Sequence, residues 1–297
     1  MKNKIVRIAL AFFAIFTMTI TGAMANTIEK AKTTGKFTLA YRESSIPFSY
    51  LGEDGKPLGF GWEMCKLIAE EVKKETGRKD LVVESQAVTS QNRIPLIQNG
   101  TVDVECGSTT NNSERGKQVT FAINYFYTGT RFLVKSDSGI KSINDLKGKK
   151  VVSTTGTTNY QILRNLNDEK KYGFELLGAK DHADALLMVE SGMAHAFGMD
   201  DILLYGLKAS SKESAKLAVV GESIQVEPYA IMFRKDDPKF QALVNKVITN
   251  SMKSGAFEKA YKKWFQTNIP PKNVNLNAPM SKELKDNLKA LSDKPAL

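Results

Sequence analysis

Short runs of β-branched and other apolar residues alternate along this chain with stretches whose apolar positions recur every three or four residues. Phe37 to Tyr41 reads as a strand, Trp62 to Lys74 carries Met64, Leu67, Ile68 and Val72 at helical spacing, and Leu81 to Val88 reads as a second strand. Arg93 to Gln98 predicts one or two helical turns before the Asn99-Gly100 turn, and Thr101 to Cys106 (TVDVEC) predicts a third strand. A second series follows Gly129. It comprises a strand near Arg131 to Lys135, a short helix at Ile143 to Leu146, a strand at Lys150 to Thr154 and a helix opened by Gly156-Thr157-Thr158. The strand Glu175 to Leu177, the helix His182 to Ser191, the strand Ala194 to Met199 and a helix from Asp200 to about Ala209 complete it. Pro238 to Ser254 and Phe257 to Phe265 are two closing helices, and from Asn268 a polar tail with a helical pattern at Lys282 to Leu291 is expected to lie on the surface. Alternation of this kind predicts an α/β fold with largely parallel sheets, and no repeat of fixed period interrupts it.

The first 25 residues break the pattern. Lys2, Lys4 and Arg7 precede the apolar run Ile8 to Ile20, and Ala23-Met24-Ala25 supplies a small-x-small cleavage site, so residues 1–25 read as a secretory signal peptide. The run is short for a bilayer span and no later segment is long and apolar enough, so neither a membrane-embedded protein nor a lipid-anchored cysteine is expected. A soluble protein of the bacterial periplasm is the expectation. About 270 residues then remain, enough for two lobes. The formal charge is +10, but three of those charges sit in the leader, and the remaining lysines scatter over helix-like faces without the dense basic stripe that a nucleic-acid partner requires. Cys65 and Cys106 are the only cysteines, and the oxidising compartment leaves two readings open, two small core residues or one disulfide. The two histidines, His182 and His195, have no metal-site spacing around them, so no metal and no cofactor is expected.

The candidate chemistry lies at strand ends. Gly107 to Gly116 (GSTTNNSERG) follows a predicted strand, is rich in hydroxyls and ends near Arg115, a combination suited to a carboxylate. Arg42 stands beside Glu43-Ser44-Ser45, and Arg93 follows Thr89-Ser90. Each arginine alone reads more readily as a surface residue paired with a nearby acid. Three of them at the carboxyl ends of strands, where open α/β sheets bind ligands, favour a site. The Thr154 to Thr158 turn would aim N–H groups of a helix start at an anion, although threonine and glycine there are also ordinary capping residues. Of Asp200 and Asp201, one is explained as an N-cap and the other is free to meet an ammonium group. His182 at a helix start is either capped surface or ligand contact. No G-x-S-x-G elbow, Walker loop or metal motif supports catalysis.

The stretches RESSIPFSY (Arg42 to Tyr50), TSQNRIPLIQNGTVDVECGSTTNNSERGKQVTFA (Thr89 to Ala122), TTGTT (Thr154 to Thr158), KDHADA (Lys180 to Ala185), MDD (Met199 to Asp201), RKDDP (Arg234 to Pro238) and KKWF (Lys262 to Phe265) closely resemble the polar amino-acid solute-binding proteins that serve ABC importers. RESS with TSQNR is closer to the acidic branch, which takes glutamate and aspartate. The resemblance implies a two-lobed periplasmic binding protein fold of type II, closing like a flytrap on one amino acid. Lobe one would comprise residues 26–127 and 230–297, lobe two residues 128–229, with hinges near Thr128 to Arg131 and Glu227 to Tyr229. It also implies that Arg115, helped by Ser108, Thr110 and the turn from Thr155 to Thr158, holds the α-carboxylate. Asp200 would take the ammonium, and Arg42, Arg93, Ser90 and His182 the side-chain carboxylate. A monomer that delivers its ligand to permease subunits is implied, with no catalysis. A glutamine or asparagine ligand and a dehydratase-like enzyme on the same fold are the alternatives. One departure is Gly61-Trp62, where many members of the class carry an acid.

Overall fold

The computed structural model describes residues 26–296, and the leader expected over residues 1–25 lies outside them. The helices are α1 (Thr27–Thr34), α2 (Phe60–Thr76), α3 (Arg93–Gln98), α4 (Ser113–Gly116), α5 (Thr158–Lys170), α6 (His182–Glu190), α7 (Asp201–Ser210), α8 (Pro238–Lys253), α9 (Ala256–Phe265) and α10 (Lys282–Ala290). The first strands are β1 (Lys36–Tyr41), β2 (Ser44–Ser45), β3 (Ser49–Leu51), β4 (Pro57–Leu58), β5 (Val82–Ala87), β6 (Val104–Glu105) and β7 (Val119–Lys135). They are followed by β8 (Lys150–Thr154), β9 (Glu175–Ala179), β10 (Ala196–Asp200), β11 (Leu217–Val220), β12 (Val226–Arg234), β13 (Asn268–Ile269) and β14 (Val274–Asn275).

The main sheet runs β5-β1-β6-β12-β7-β10-β8-β9, with β11 also on β7. Within each half the pairing is parallel, as the alternation of strands and helices predicts: β5-β1-β6 on one side and β10-β8-β9 on the other. Antiparallel pairs gather around β7 and β12. The 17 residues of β7 belong to both halves. Its first part pairs with β12, from Val119 opposite Arg234 to Gly129 opposite Val226, and its last part pairs with β10, from Thr130 opposite Asp200 to Val134 opposite Ala196. One continuous strand therefore fixes where the two parallel series meet.

Most of β7 and all of β12 were not visible as strands in the sequence pattern. Their side chains are buried almost without interruption, so neither face alternates with polar residues and the period-two signal is missing. The strand expected over Thr101 to Cys106 shrinks to Val104–Glu105. Its preceding residue Asp103 uses a carboxylate oxygen, 2.9 Å from the Thr38 N–H, where a ladder carbonyl would otherwise sit. Beneath the β7–β12 crossing lies an aromatic cluster in which Phe48 meets Phe126 at 4.9 Å and Phe126 stacks on Phe265 at 5.1 Å. Burying each of these rings contributes about 1.5–3 kcal/mol to holding β7 and β12 in place. Leu67, counted on the apolar face of α2, is instead 44% exposed.

The helix start at Gly61-Trp62 has a packing reason for its glycine. A Cβ at Gly61 would lie 2.2 Å from the Cys106 carbonyl oxygen, so only glycine lets α2 come this close to the end of β6. One turn further on, Cys65 is bonded to Cys106, with Cα atoms 5.7 Å apart, which settles the open question about the cysteines. The C-terminal tail is anchored as well as laid over the surface. The buried Asn287 donates to the Asn124 carbonyl on β7 at 2.7 Å, and Asn111 in the hydroxyl-rich loop donates to the Asp293 carbonyl at 2.7 Å. Both the disulfide and the tail thus hold the segment that carries Gly107 to Gly116. The disulfide closes a sequence separation of 41 residues, so paired Cys65→Ser and Cys106→Ser substitutions should cost about 2–4 kcal/mol in urea unfolding. Unchanged stability in that measurement would show that α2 and the loop are held by packing alone.

Candidate functional site

Nine of the ten residues singled out from the sequence converge where the two parallel series meet, linked by hydrogen bonds or close charge. Arg42, at the end of β1, is fully buried, and its Nη2 donates to Ser90 Oγ at 2.9 Å. The same Nη2 lies 3.4 Å from His182 Nε2 at the start of α6. A guanidinium nitrogen can only donate, so Nε2 accepts and the ring proton sits on Nδ1, which faces Thr154 Oγ1 at 2.8 Å. Burial, reinforced by Arg42 and Arg93, pushes the His182 pKa well below 6.5 and keeps the ring neutral. Asp181 reaches the same corner, 3.7 Å from Arg42 Nη2 and bonded to Ser44.

Arg93 opens α3 and is also buried, donating from Nη1 to Thr109 Oγ1 at 2.5 Å and to the Ser108 carbonyl at 3.4 Å. Thr109 passes its own proton to Glu105 at 2.5 Å. Ser108 Oγ faces Ser45 Oγ at 3.2 Å. Burial above all, with Arg115 and Arg42 nearby, lowers the Arg93 pKa to about 9. Three buried donors here have no partner in the protein: Arg42 Nε, Arg42 Nη1 and Arg93 Nε. Unpaired buried donors on a cation are costly and are met by an anion when one binds.

Arg115 lies in the four-residue helix α4, whose N-cap Asn112 accepts its backbone N–H at 2.9 Å. Its guanidinium reaches both series of strands, donating to the Thr110 carbonyl at 3.0 Å and to the Gly156 carbonyl at 3.2 Å. Gly156 has φ +79°, and a Cβ there would lie 2.6 Å from Gln91 Cα. The turn before α5 can therefore approach the Ser90-Gln91 backbone only because residue 156 is glycine. Thr155 is the tenth residue: its hydroxyl is taken up by the Ala179 carbonyl at 3.1 Å and by Gln91, away from the arginines.

Asp200 closes β10 and is buried. Although it stands at the N-cap position of α7, it makes no capping bond; Asp201 instead binds the Ile202 N–H at 2.6 Å and leaves Asp200 for the site. Asp200 accepts from Asn159 at 2.8 Å and from Tyr229. Burial and the nearby Glu227 carboxylate raise its pKa well above the usual range. Thr110 and Thr158 lie 3.2 Å apart, and both donate to Glu227. Glu105, Thr109, Asn159 and Tyr229, together with Glu227 as a site residue, were missed at the sequence level. Signals existed for two of them, because Glu105 and Glu227 are charged residues inside apolar strand runs, where a buried charge needs a reason. Arginines, hydroxyls and one side with carboxylates make the site able to hold a small molecule bearing both charges.

Known proteins with this sequence and shape fit that description. The model of the bacterial extracellular solute-binding proteins, family 3, matches residues 37–267. An L-glutamate/L-aspartate-binding protein of Pseudomonas aeruginosa is 50% identical over 92% of this chain and 91% of its own length. A glutamate/aspartate import solute-binding protein of Salmonella typhimurium is 46% identical over 92% of this chain and 90% of its own. Among solved structures, a mutant of the ArgBP of T. maritima superposes with a TM-score of 0.72 at 26% identity, covering 81% of this chain and 99% of that one. Arg42, Arg93 and Arg115, the turn that opens α5 and the paired strands β7 and β12 all fall inside the matched span, and the chain belongs to the bacterial extracellular solute-binding proteins of family 3.

Proposed function

We propose that this protein captures L-glutamate or L-aspartate in the periplasm, between two lobes, and delivers it unchanged to an ABC importer. The single observation that carries the reading is the set of buried guanidinium donors without partners on Arg42 and Arg93, placed beyond the arginine that a common α-carboxylate needs. Arg115, with Ser108 and the N–H groups of Gly156 and Thr158 in the turn from Thr155 to Thr158, takes the α-carboxylate. Arg42 and Arg93, with Ser90 and neutral His182, take the side-chain carboxylate, and Asp200 takes the ammonium. Relatives named for glutamate and aspartate support the ligand class.

Residues 26–127 with 230–297 form one lobe and residues 128–229 the other, so β7 and β12 are the two strands that pass between them. Contacts from both lobes to one ligand make it bind the closed arrangement better than an open one, and closure is what the importer reads. The reaction is binding alone, and the protein acts as a monomer.

Calorimetry against glutamate, aspartate, glutamine, asparagine, arginine and histidine tests the ligand class. The acidic pair should bind tightest and be recovered intact; a neutral or basic amino acid binding best overturns the assignment of Arg42 and Arg93. Replacing Arg93 by alanine leaves a buried carboxylate unpaired, so glutamate affinity should fall by about 2–5 kcal/mol and glutamine affinity by less. Equal losses would place Arg93 away from the side-chain carboxylate.

Asp200 supplies a pH test with a definite sign. Its pKa is raised in the closed arrangement by burial and by Glu227, whereas an ammonium partner there lowers it, so filling the closed site releases a proton. Glutamate affinity should therefore weaken as the pH falls into the raised range of Asp200, and calorimetry in buffers of different ionisation enthalpy should register net proton release. Net uptake on binding would show that another group governs the pH dependence.

A further inference from the structure

Glu227 is fully buried on β12, one of the strands running between the two halves of the sheet. Its Oε2 accepts from two hydroxyls that arrive from opposite sides. Thr110, in the loop before α4, donates at 2.5 Å, and Thr158, at the start of α5, donates at 2.6 Å. Oε1 accepts from Gln225 Nε2 at 2.9 Å. Among the described residues, neither Glu227 nor its neighbour Asp200 forms an ion pair with a lysine, an arginine or a histidine. The buried Arg115 guanidinium acts on both carboxylates through space, but their hydrogen bonds come only from neutral donors, an arrangement that a cation in direct contact would complete.

The protons decide what that cation is. A threonine hydroxyl carries one proton and two lone pairs, so once the proton is given to a carboxylate the hydroxyl can only accept. A ligand carboxylate also only accepts and finds no bond there, contrary to the role that family resemblance implies for Thr110. An ammonium group carries three donors and no acceptor, and it is the complement of two spent hydroxyls and a carboxylate. We propose that Glu227 is a positioning residue that accepts the hydrogen bonds of Thr110 and Thr158, leaves both hydroxyls as acceptors beside Asp200, and so selects ligands that carry an ammonium group. Because the two hydroxyls come from opposite sides of the site, the acceptor set is complete only when those sides are together. The proposal rests on the reading of the site as an amino-acid site and adds how the ammonium is recognised.

Calorimetry with glutamate and with glutarate, the same dicarboxylate without the ammonium, separates the two ideas. Wild-type protein should bind glutamate and strongly prefer it to glutarate. In Glu227→Gln, which keeps the shape but loses the charge, and in Glu227→Leu, that preference should shrink by about tenfold or more, through weaker glutamate binding with glutarate little changed or improved. Thr110→Val should shrink it in the same direction. Folded variants that keep the wild-type preference, or lose both ligands in equal proportion, would overturn the role of Glu227, the second outcome marking it as a structural prop. Wild-type protein that fails to bind glutamate overturns the underlying amino-acid reading, a result distinct from either. Thermal unfolding of each variant identifies the folded ones, and the isosteric Glu227→Gln decides the matter if Glu227→Leu does not fold.

Discussion

Burial of three guanidinium groups in one place is the constraint on which the rest of this structure turns. Arg42, Arg93 and Arg115 cannot lose their charge at ordinary pH, and each would cost several kcal/mol if left unpaired in the interior. The protein answers with partial compensation. Glu105 reaches Arg93 only through Thr109, Asp181 stands 3.7 Å from Arg42, and Arg115 gives two of its five N–H donors to the Thr110 and Gly156 carbonyls. Donors on Arg42 and Arg93 remain without protein partners. A fold that buries positive charge and stops short of neutralising it is prepared for an anion, and the stability it forgoes is recovered on binding.

Such a site has to be held from outside, because its own charges repel. The long strand β7 joins both series of parallel strands, and its partner β12 carries Glu227 and Tyr229 into the middle. The Cys65–Cys106 bond fixes the start of the hydroxyl-rich loop, and the tail beyond α10 fixes its far end through Asn111. Aromatic packing of Phe48, Phe126 and Phe265 lies underneath. Where close approach is needed, glycine supplies it: Gly61 against Cys106, and Gly156 against Gln91.

Several elements were legible in the sequence, down to the bounds of α3 and β8, because turn residues bracket them: Asn99-Gly100 after α3, and Gly148 before and Gly156 after β8. β7 and β12 were not, since burial on both faces removes the alternation that marks a strand. The same cause hid part of the site. Arginines and hydroxyls at strand ends stand out against loop composition, whereas Glu227 and Tyr229 lie within a buried strand and Asn159 within a helix. The disulfide depended on a distance between two segments that no spacing along the chain encodes. Choosing between Asp200 and Asp201 likewise required seeing which carboxylate turns to its own helix and which meets Asn159 and Tyr229.

The central claim is that a dicarboxylic amino acid draws the two halves together around the buried arginines. Small-angle scattering of the purified protein, with and without saturating glutamate, tests it most directly. The account predicts a smaller radius of gyration with glutamate, and a loaded profile that matches the arrangement described here, in which Arg115 reaches Gly156 and Gly156 lies against Gln91. Tight glutamate binding with an unchanged scattering profile would contradict it.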